Sequence, residues 1–297
     1  MLKFRAIEST DIPIIREFTH NSGVQSCDFT LSGVYLWGIY YKYEICIYKD
    51  TLFIRGIDES GRISFGVPFG ALSTEEGVEV VCEYCRAHNL KPHFFFVPEC
   101  KLTAYKNAEI RKLEGWSDYV YDAESLSTLA GKKLHKKKNR FNKFVKTYPN
   151  HCLKRASGED IEKLRKFYSG FLSENPADSE RLAAEESIIN RIFDEYDKLG
   201  MEIGVLWVED KIVAFAVGER IGETLYVHFE KALRSYDGSF EAINCLFVRE
   251  FKGNAKYVDR EEDMNDLGLR QAKMAYNPVY LVDKYVVLIP EAESTNG

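Results

Sequence analysis

Val258-Asp-Arg-Glu-Glu-Asp-Met-Asn-Asp-Leu-Gly-Leu-Arg-Gln-Ala-Lys-Met-Ala-Tyr276 reads as a strand end, an acidic loop and the opening of a helix. Asp259, Glu261, Glu262, Asp263 and Asp266 crowd five carboxylates into eight residues. Calcium is the first thought, but Met264 and Arg270 occupy the glycine and glutamate positions of an EF-hand loop started at Asp259. On the helix after Gly268, Leu269, Lys273 and Tyr276 fall near one face. Arg270 lies one turn from Lys273, close enough to share a ligand. A dense polar cluster between strand and helix marks the edge of an α/β sheet where ligands bind. Asp259, Glu261, Arg270 and Lys273 are therefore candidates for chemistry, and Asp263, Asn265, Gly268 and Tyr276 for substrate contact. The bland alternative is an exposed acidic turn capping a helix.

Working outward, the strand ending His228-Phe-Glu230 precedes the turn Tyr236-Asp-Gly238 and a helix with the apolar stripe Phe240, Ile243, Phe247 and Phe251. Asn244 shares that stripe. A helix N-terminus after a glycine turn suits an anion. Glu230, at a strand end, is a candidate general base; His228, Tyr236 and Asn244 are candidate substrate contacts.

Residues 131–146 carry eight Lys/Arg and no acid, which leaves the remaining chain at −14, eight below the whole-chain −6. A basic patch on an acidic body points to one anionic partner at one place. With Leu134, Phe141, Val145 and Tyr148 as the buried stripe, position 138, and less so 137, falls on that stripe, so a lysine there must snorkel or face an anion. Lys132, Lys136, Lys137, Lys138, Asn139 and Arg140 are the candidate phosphate-binding residues, with a solvated helix face as the plain alternative.

The remainder alternates between helix and strand. A helix is expected over Asp11–His20, and strands over Gly33–Tyr41, Tyr43–Tyr48, Leu52–Ile57, Arg62–Val67 and His93–Val97. In the second half, Ser157-Gly-Glu-Asp160 resembles a capping box. One long helix carrying Ile188, Ile192, Tyr196 and Leu199 ends at Gly200. Strands follow at Glu202–Val208, Ile212–Gly218, Thr224–Glu230, Lys256–Asp259 and Tyr280–Ile289. Both halves read as helix, antiparallel strands, crossover helix and strand, which suggests two domains, 1–128 and 129–297, the second carrying the main site.

Composition narrows the class. The chain has 297 residues, 45% hydrophobic and 29% charged, enough for two globular domains. No apolar run approaches the roughly 18 residues that span a bilayer, and the first residues lack an apolar signal core, so a cytoplasmic protein is expected. Seven scattered cysteines fit reduced thiols. Cys82 and Cys85 share one face of a helix with Val78, so burial explains them and no metal site is expected.

Three segments, 259–278, 131–144 and His228-Phe-Glu-Lys-Ala232, together resemble the phosphatidylglycerol lysyltransferase C-terminal domain family over nearly the whole chain. The resemblance implies an α/β protein of two tandem GNAT-like acyltransferase folds with mixed, mainly antiparallel sheets. It also implies kinship with Fem-type transferases, which move an aminoacyl group from aminoacyl-tRNA to an amine or hydroxyl. Arg234-Ser-Tyr-Asp-Gly238 is a degenerate form of the pyrophosphate loop expected for acyl-CoA, which favours aminoacyl-tRNA as donor. An acyl-CoA-dependent N-acetyltransferase and a non-catalytic module binding RNA or anionic lipid headgroups are the rival readings.

Overall fold

The computed structural model describes residues 1–58, 60–175 and 180–290. The chain falls into two compact units: Met1–Ser117 together with the chain from Val282 onward, and Asp118–Leu281. The border expected after residue 128 thus lies inside the second unit.

The first unit runs β1 (Arg5–Ala6), α1 (Ile12–His20), β2 (Glu44–Tyr48), β3 (Thr51–Ile57), β4 (Ile63–Phe65), β5 (Phe69–Gly70), α2 (Thr74–Ala87), β6 (His93–Pro98) and β7 (Glu109–Lys112). Neighbours β2–β3 and β3–β4 are antiparallel, while β4 and β6 run parallel after the crossover through α2. Cys82 and Cys85 do lie on α2, Cys85 buried with its thiol pushed up to about 12 by loss of solvent. The strand expected over Gly33–Tyr41 is helical instead, as short turns over Ser32–Leu36 and Trp37–Ile39. Thr30 Oγ1 accepts the Gly33 N–H at 3.0 Å, and a Cβ on Gly33 would stand 2.5 Å from the Cys27 carbonyl oxygen. Burial of Leu31, Val34, Tyr35 and Leu36 on all sides overrides the strand preference of these residue types.

The second unit runs β8 (Asp118–Asp122), α3 (Ala123–Thr128), α4 (His135–Thr147), β9 (His151–Arg155), α5 (Ile161–Glu174), α6 (Glu180–Asp194), α7 (Tyr196–Leu199), β10 (Glu202–Val208), β11 (Lys211–Ile221), β12 (Thr224–Ala232), α8 (Ser239–Phe251), β13 (Tyr257–Asp259), α9 (Leu267–Met274) and β14 (Tyr280–Val282). Its sheet has the order β14-β8-β13-β12-β11-β10-β9. β9 to β12 are antiparallel neighbours; β12 and β13 are parallel, joined by α8. The helix expected through Tyr196 is broken at Glu195, where Tyr196 turns its hydroxyl to the Ala156 carbonyl at 2.6 Å.

The long terminal strand expected over Tyr280–Ile289 is two strands in two sheets. β14 lies outermost beside β8, whereas β15 (Lys284–Leu288) inserts between β6 and β7 of the first sheet. Asp283 makes the switch: its carboxylate accepts from Lys112 Nζ and Ser117 Oγ, each at 2.6 Å.

Both units are mixed, mainly antiparallel sheets carrying helices. In the second, α8 packs Ile243, Phe247 and Val248 on the sheet, and Leu134, just before α4, and Phe144 of α4 join the same cluster. Each fully buried Phe contributes roughly 1.5–3 kcal/mol through removal of apolar surface from water. This packing fixes α4 and α8 around the C-terminal ends of β12 and β13.

Candidate functional site

Pairing between β12 and β13 ends at Tyr226–Asp259, and beyond it the chains part. The pairing of β11 with β12 slips at His228, where Val217 faces Phe229 and Gly218 faces Val227, so alternation is broken: Glu230 reaches Asn244 of α8 while His228 reaches Glu219. Two consecutive residues after β13 meet Glu230 and His228. Arg260 Nη2 donates to both oxygens of Glu230 at 3.2 Å, and Glu261 Oε1 lies 2.8 Å from His228 Nδ1. Across from it, Glu219 Oε1 lies 3.0 Å from His228 Nε2. Burial works against a charged imidazole, but the hydrogen bonds to Glu219 and Glu261 outweigh it and raise His228 to about 10. Burial in turn pushes the Glu261 carboxyl up despite His228.

The acidic loop is held by its own charges. Glu261, Met264 and Asn265 all adopt positive φ, at 59°, 52° and 63°. Such backbone is costly for non-glycine residues and persists only where its surroundings fix it. Fully buried Asp259 accepts the Glu261 N–H at 2.8 Å. Lys273 Nζ donates to the Arg260 and Glu261 carbonyls. Burial and nearby Arg260 lower the Lys273 amine. Arg270 grips both oxygens of Asp263 at 2.8 and 2.9 Å and reaches Asn265 Oδ1 at 3.3 Å. Tyr119 donates to Asp263 at 2.5 Å. Burial opposes the Asp263 charge, but the bonds from Arg270 and Tyr119 prevail and lower its value. Asp266 caps α9 by accepting the Leu269 N–H at 2.7 Å, and Gly268 lies in that first turn.

The basic helix turns a different lysine inward from the one expected. Its inward stripe runs Leu134, Lys137, Phe141, Phe144 and Tyr148, with Leu134 and Phe144 buried and the other three half-buried, because the spacing alternates three and four residues from Leu134; Lys138 is exposed. Lys137 Nζ lies 3.2 Å from Glu241 Oε1 and 4.3 Å from the centre of the Tyr276 ring. Arg140 approaches Glu241 at 3.6 Å and Asp237 at 3.4 Å, and Lys143 pairs with Asp237 at 2.7 Å. Two of the residues expected to grip phosphate, Lys137 and Arg140, therefore fasten α4 to α8. Lys132, Lys136, Lys138 and Asn139 stay on the exposed side. Tyr236 packs on Tyr148, centroids 5.2 Å apart.

Near the carboxylate of Glu230 stand Arg260, Asn244, Tyr121 and Tyr276. Asn244 Nδ2 donates to Glu230 Oε2 at 3.3 Å, which turns Oδ1 away from the carboxylate. Asn244 Oδ1 and Arg260 Nη1 are buried without a hydrogen-bond partner among the described residues. Arg260 lies over the Tyr276 and Tyr121 rings at 4.9 and 5.9 Å. Buried groups of this kind are rare outside functional sites. Arg260, Glu219, Tyr121 and Glu241 escape the sequence reading. Arg260 is the one basic residue among the loop's acids, and that was its only signal.

Residues 21–288 match the family described as "Phosphatidylglycerol lysyltransferase, C-terminal". The chain belongs to that family. Phosphatidylglycerol lysyltransferase C-terminal members share this fold. The C-terminal domain of a putative lysylphosphatidylglycerol synthetase from Agrobacterium fabrum aligns with a TM-score of 0.70 at 13% identity, over 96% of this chain and 93% of that one. A conserved protein of unknown function from Bacteroides thetaiotaomicron aligns at 0.90 and 27% identity, over 98% and 100% of the two chains. FemX aligns at 0.63 and 8% identity, over 97% of each chain. An uncharacterized protein of Mycoplasmoides gallisepticum is 24% identical over 59% of this chain and 57% of its own length, so the chain matches little more than half of that relative. No helix among the described residues is long and apolar enough to cross a membrane.

Proposed function

We propose that this family member transfers an aminoacyl group from aminoacyl-tRNA to an amine or hydroxyl acceptor, at the ends of β12 and β13. The observation that carries the reading is the Glu230–Arg260–Asn244 cluster, with one donor and one acceptor left unsatisfied in a buried polar corner. An aminoacyl ester offers a carbonyl oxygen to Arg260 Nη1 and an amine to Asn244 Oδ1 and Glu230. Preorganised donors of this kind stabilise the oxyanion that develops when the acceptor attacks the carbonyl. Glu230 accepts the acceptor's proton, the ester C–O bond breaks, and the departing ribose hydroxyl takes a proton back. Asp259, Glu261, Arg270 and Lys273 hold the loop that aims Arg260, while Lys132, Lys136, Lys138 and Asn139 meet donor phosphates.

Acyl-CoA is a weaker candidate donor for a geometric reason. The α8 N-terminus is already packed against α4, with Gly238 at φ 87° and no room for a Cβ, which would stand 2.6 Å from the Arg140 carbonyl oxygen. The test is transfer from a panel of charged tRNAs to amine and hydroxyl acceptors, phosphatidylglycerol vesicles included. Glu230→Gln and Arg260→Met should each lose at least a hundredfold in rate while keeping the wild-type fold. Full activity in both variants, or stabilisation of the protein by acetyl-CoA alone, overturns the reading.

A further inference from the structure

In the first unit, Lys284 opens β15 and is fully buried. Its Nζ lies 3.1 Å from Cys27 Sγ and 2.8 Å from Asp28 Oδ2. Ser26 Oγ donates to that same carboxylate oxygen at 2.9 Å, and the Phe96 ring lies 5.8 Å from the amine. The amine thus lies within hydrogen-bond distance of both a sulfur and a carboxylate, supplied from 257 and 256 residues earlier in the chain. Nothing in the transferase reading uses them.

We propose that Cys27 and Lys284 form an oxidative modification site, in which peroxide converts the pair into a covalent sulfenamide. In the first step the Cys27 sulfur attacks peroxide and the O–O bond breaks. Sulfur loses two electrons to become a sulfenic acid, and the second oxygen leaves as water. In the second step Asp28 takes a proton from the Lys284 ammonium, and the freed lone pair attacks the sulfenic sulfur. The S–N bond forms, the S–O bond breaks, and the hydroxyl leaves as water with the proton from Asp28. The 3.1 Å between nitrogen and sulfur lies in the range of a near-attack contact. Peroxide is small enough to reach Cys27, which is 8% exposed, whereas a bulky thiol must open the unit to compete with Lys284 for the sulfenic acid. The product ties the turn at Cys27–Phe29 to β15, the strand that inserts between β6 and β7. A covalent loop of this length restricts the unfolded chain strongly.

The experiment treats the intact protein with dilute hydrogen peroxide, alkylates remaining thiols under denaturing conditions and maps peptides by mass spectrometry. The expected product is a Cys27 peptide joined to a Lys284 peptide with two hydrogens lost and no oxygen gained, released by dithiothreitol. Thermal unfolding of the oxidised protein should rise by several degrees and fall back on reduction. Lys284→Arg keeps a cation beside Asp28 and should instead carry Cys27 to the sulfinic acid several-fold faster. Cys27 recovered as alkylated thiol, sulfinic acid or an oxygen-containing adduct in the wild-type protein, with Lys284 unmodified, overturns the proposal. The mapping needs no transferase assay, so its outcome is independent of the aminoacyl-transfer reading.

Discussion

Lys137 Nζ stands 4.3 Å from the centre of the Tyr276 ring, which joins the basic helix to the acidic segment more than a hundred residues downstream. The same ammonium pairs with Glu241, which is 3% exposed. Lys137→Met should therefore destabilise the second unit by about 1–3 kcal/mol, because it leaves a buried carboxylate to Arg140 at 3.6 Å. Denaturant unfolding of Lys137→Met, Glu241→Gln and the double variant measures this. A double variant as unstable as the two single losses added together would show that the pair is not coupled.

His228 binds its proton more tightly in the folded chain, where its value rises from 6.5 to about 10. A raised folded value means that its contribution is complete below about 6.5, declines as pH rises, and is gone above about 10. The raised carboxyl of Glu261 acts in the same sense at lower pH. Stability should thus fall between pH 7 and 10 in the wild type and stay flatter in His228→Gln. Denaturation midpoints across that range provide the check, and a proton-exchange-resistant imidazolium signal at neutral pH is expected by NMR.

Arg270 and Lys273 engage the loop rather than open space, so their loss should act through structure. Lys273→Met keeps the volume but removes the lysine donor from the Arg260 carbonyl and leaves the Glu261 carbonyl to the Tyr119 N–H, at a cost of about 1–3 kcal/mol. Arg270→Ala should lower the melting point and speed hydrogen exchange in 260–266. Loss of transfer with unchanged exchange would instead return both residues to direct contact with the substrate.

Gly238→Ala should destabilise by roughly 1–3 kcal/mol, since its positive φ disfavours any side chain and the new methyl meets the α4 backbone. Thermal unfolding gives the size of the effect. A neutral result would mean that α4 can move away from α8.

Exposed Lys136 and Lys138 make the opposite prediction. Lys136→Glu and Lys138→Glu should leave stability within about 0.5 kcal/mol. Each should weaken tRNA binding and reduce the slope of log affinity against log salt by about 1. Binding titrations at several salt concentrations test it.

Where patterns are local, the sequence was legible. The capping box at Ser157 and Asp160, the strand Glu202–Val208, the stop at Gly200 and the strand–loop–helix of 258–276 follow from short-range rules, and all are present. Periodicity also told that the basic helix buries one face. It could not tell Lys137 from Lys138, because one residue of helical phase separates a half-buried lysine from an exposed one. Residues 33–41 failed for the converse reason: Val34, Tyr35 and Leu36 are strand-forming types buried in a helical turn, and tertiary packing overrides propensity there.

The sequence by itself determined the α/β class, the family resemblance and the two charged segments, since composition, periodicity and motif spacing are properties of the chain. Only the tertiary structure decided which charges meet. It moved the last strand back into the first sheet and fixed His228 between two carboxylates. It also brought Arg260, which sequence had passed over, to Glu230 and Asn244, which sequence had named, while Arg270 and Lys273 turned to the loop itself. The physical reason is that an ion pair or a buried polar corner depends on distances of a few ångströms between residues far apart in sequence, and no local pattern records them.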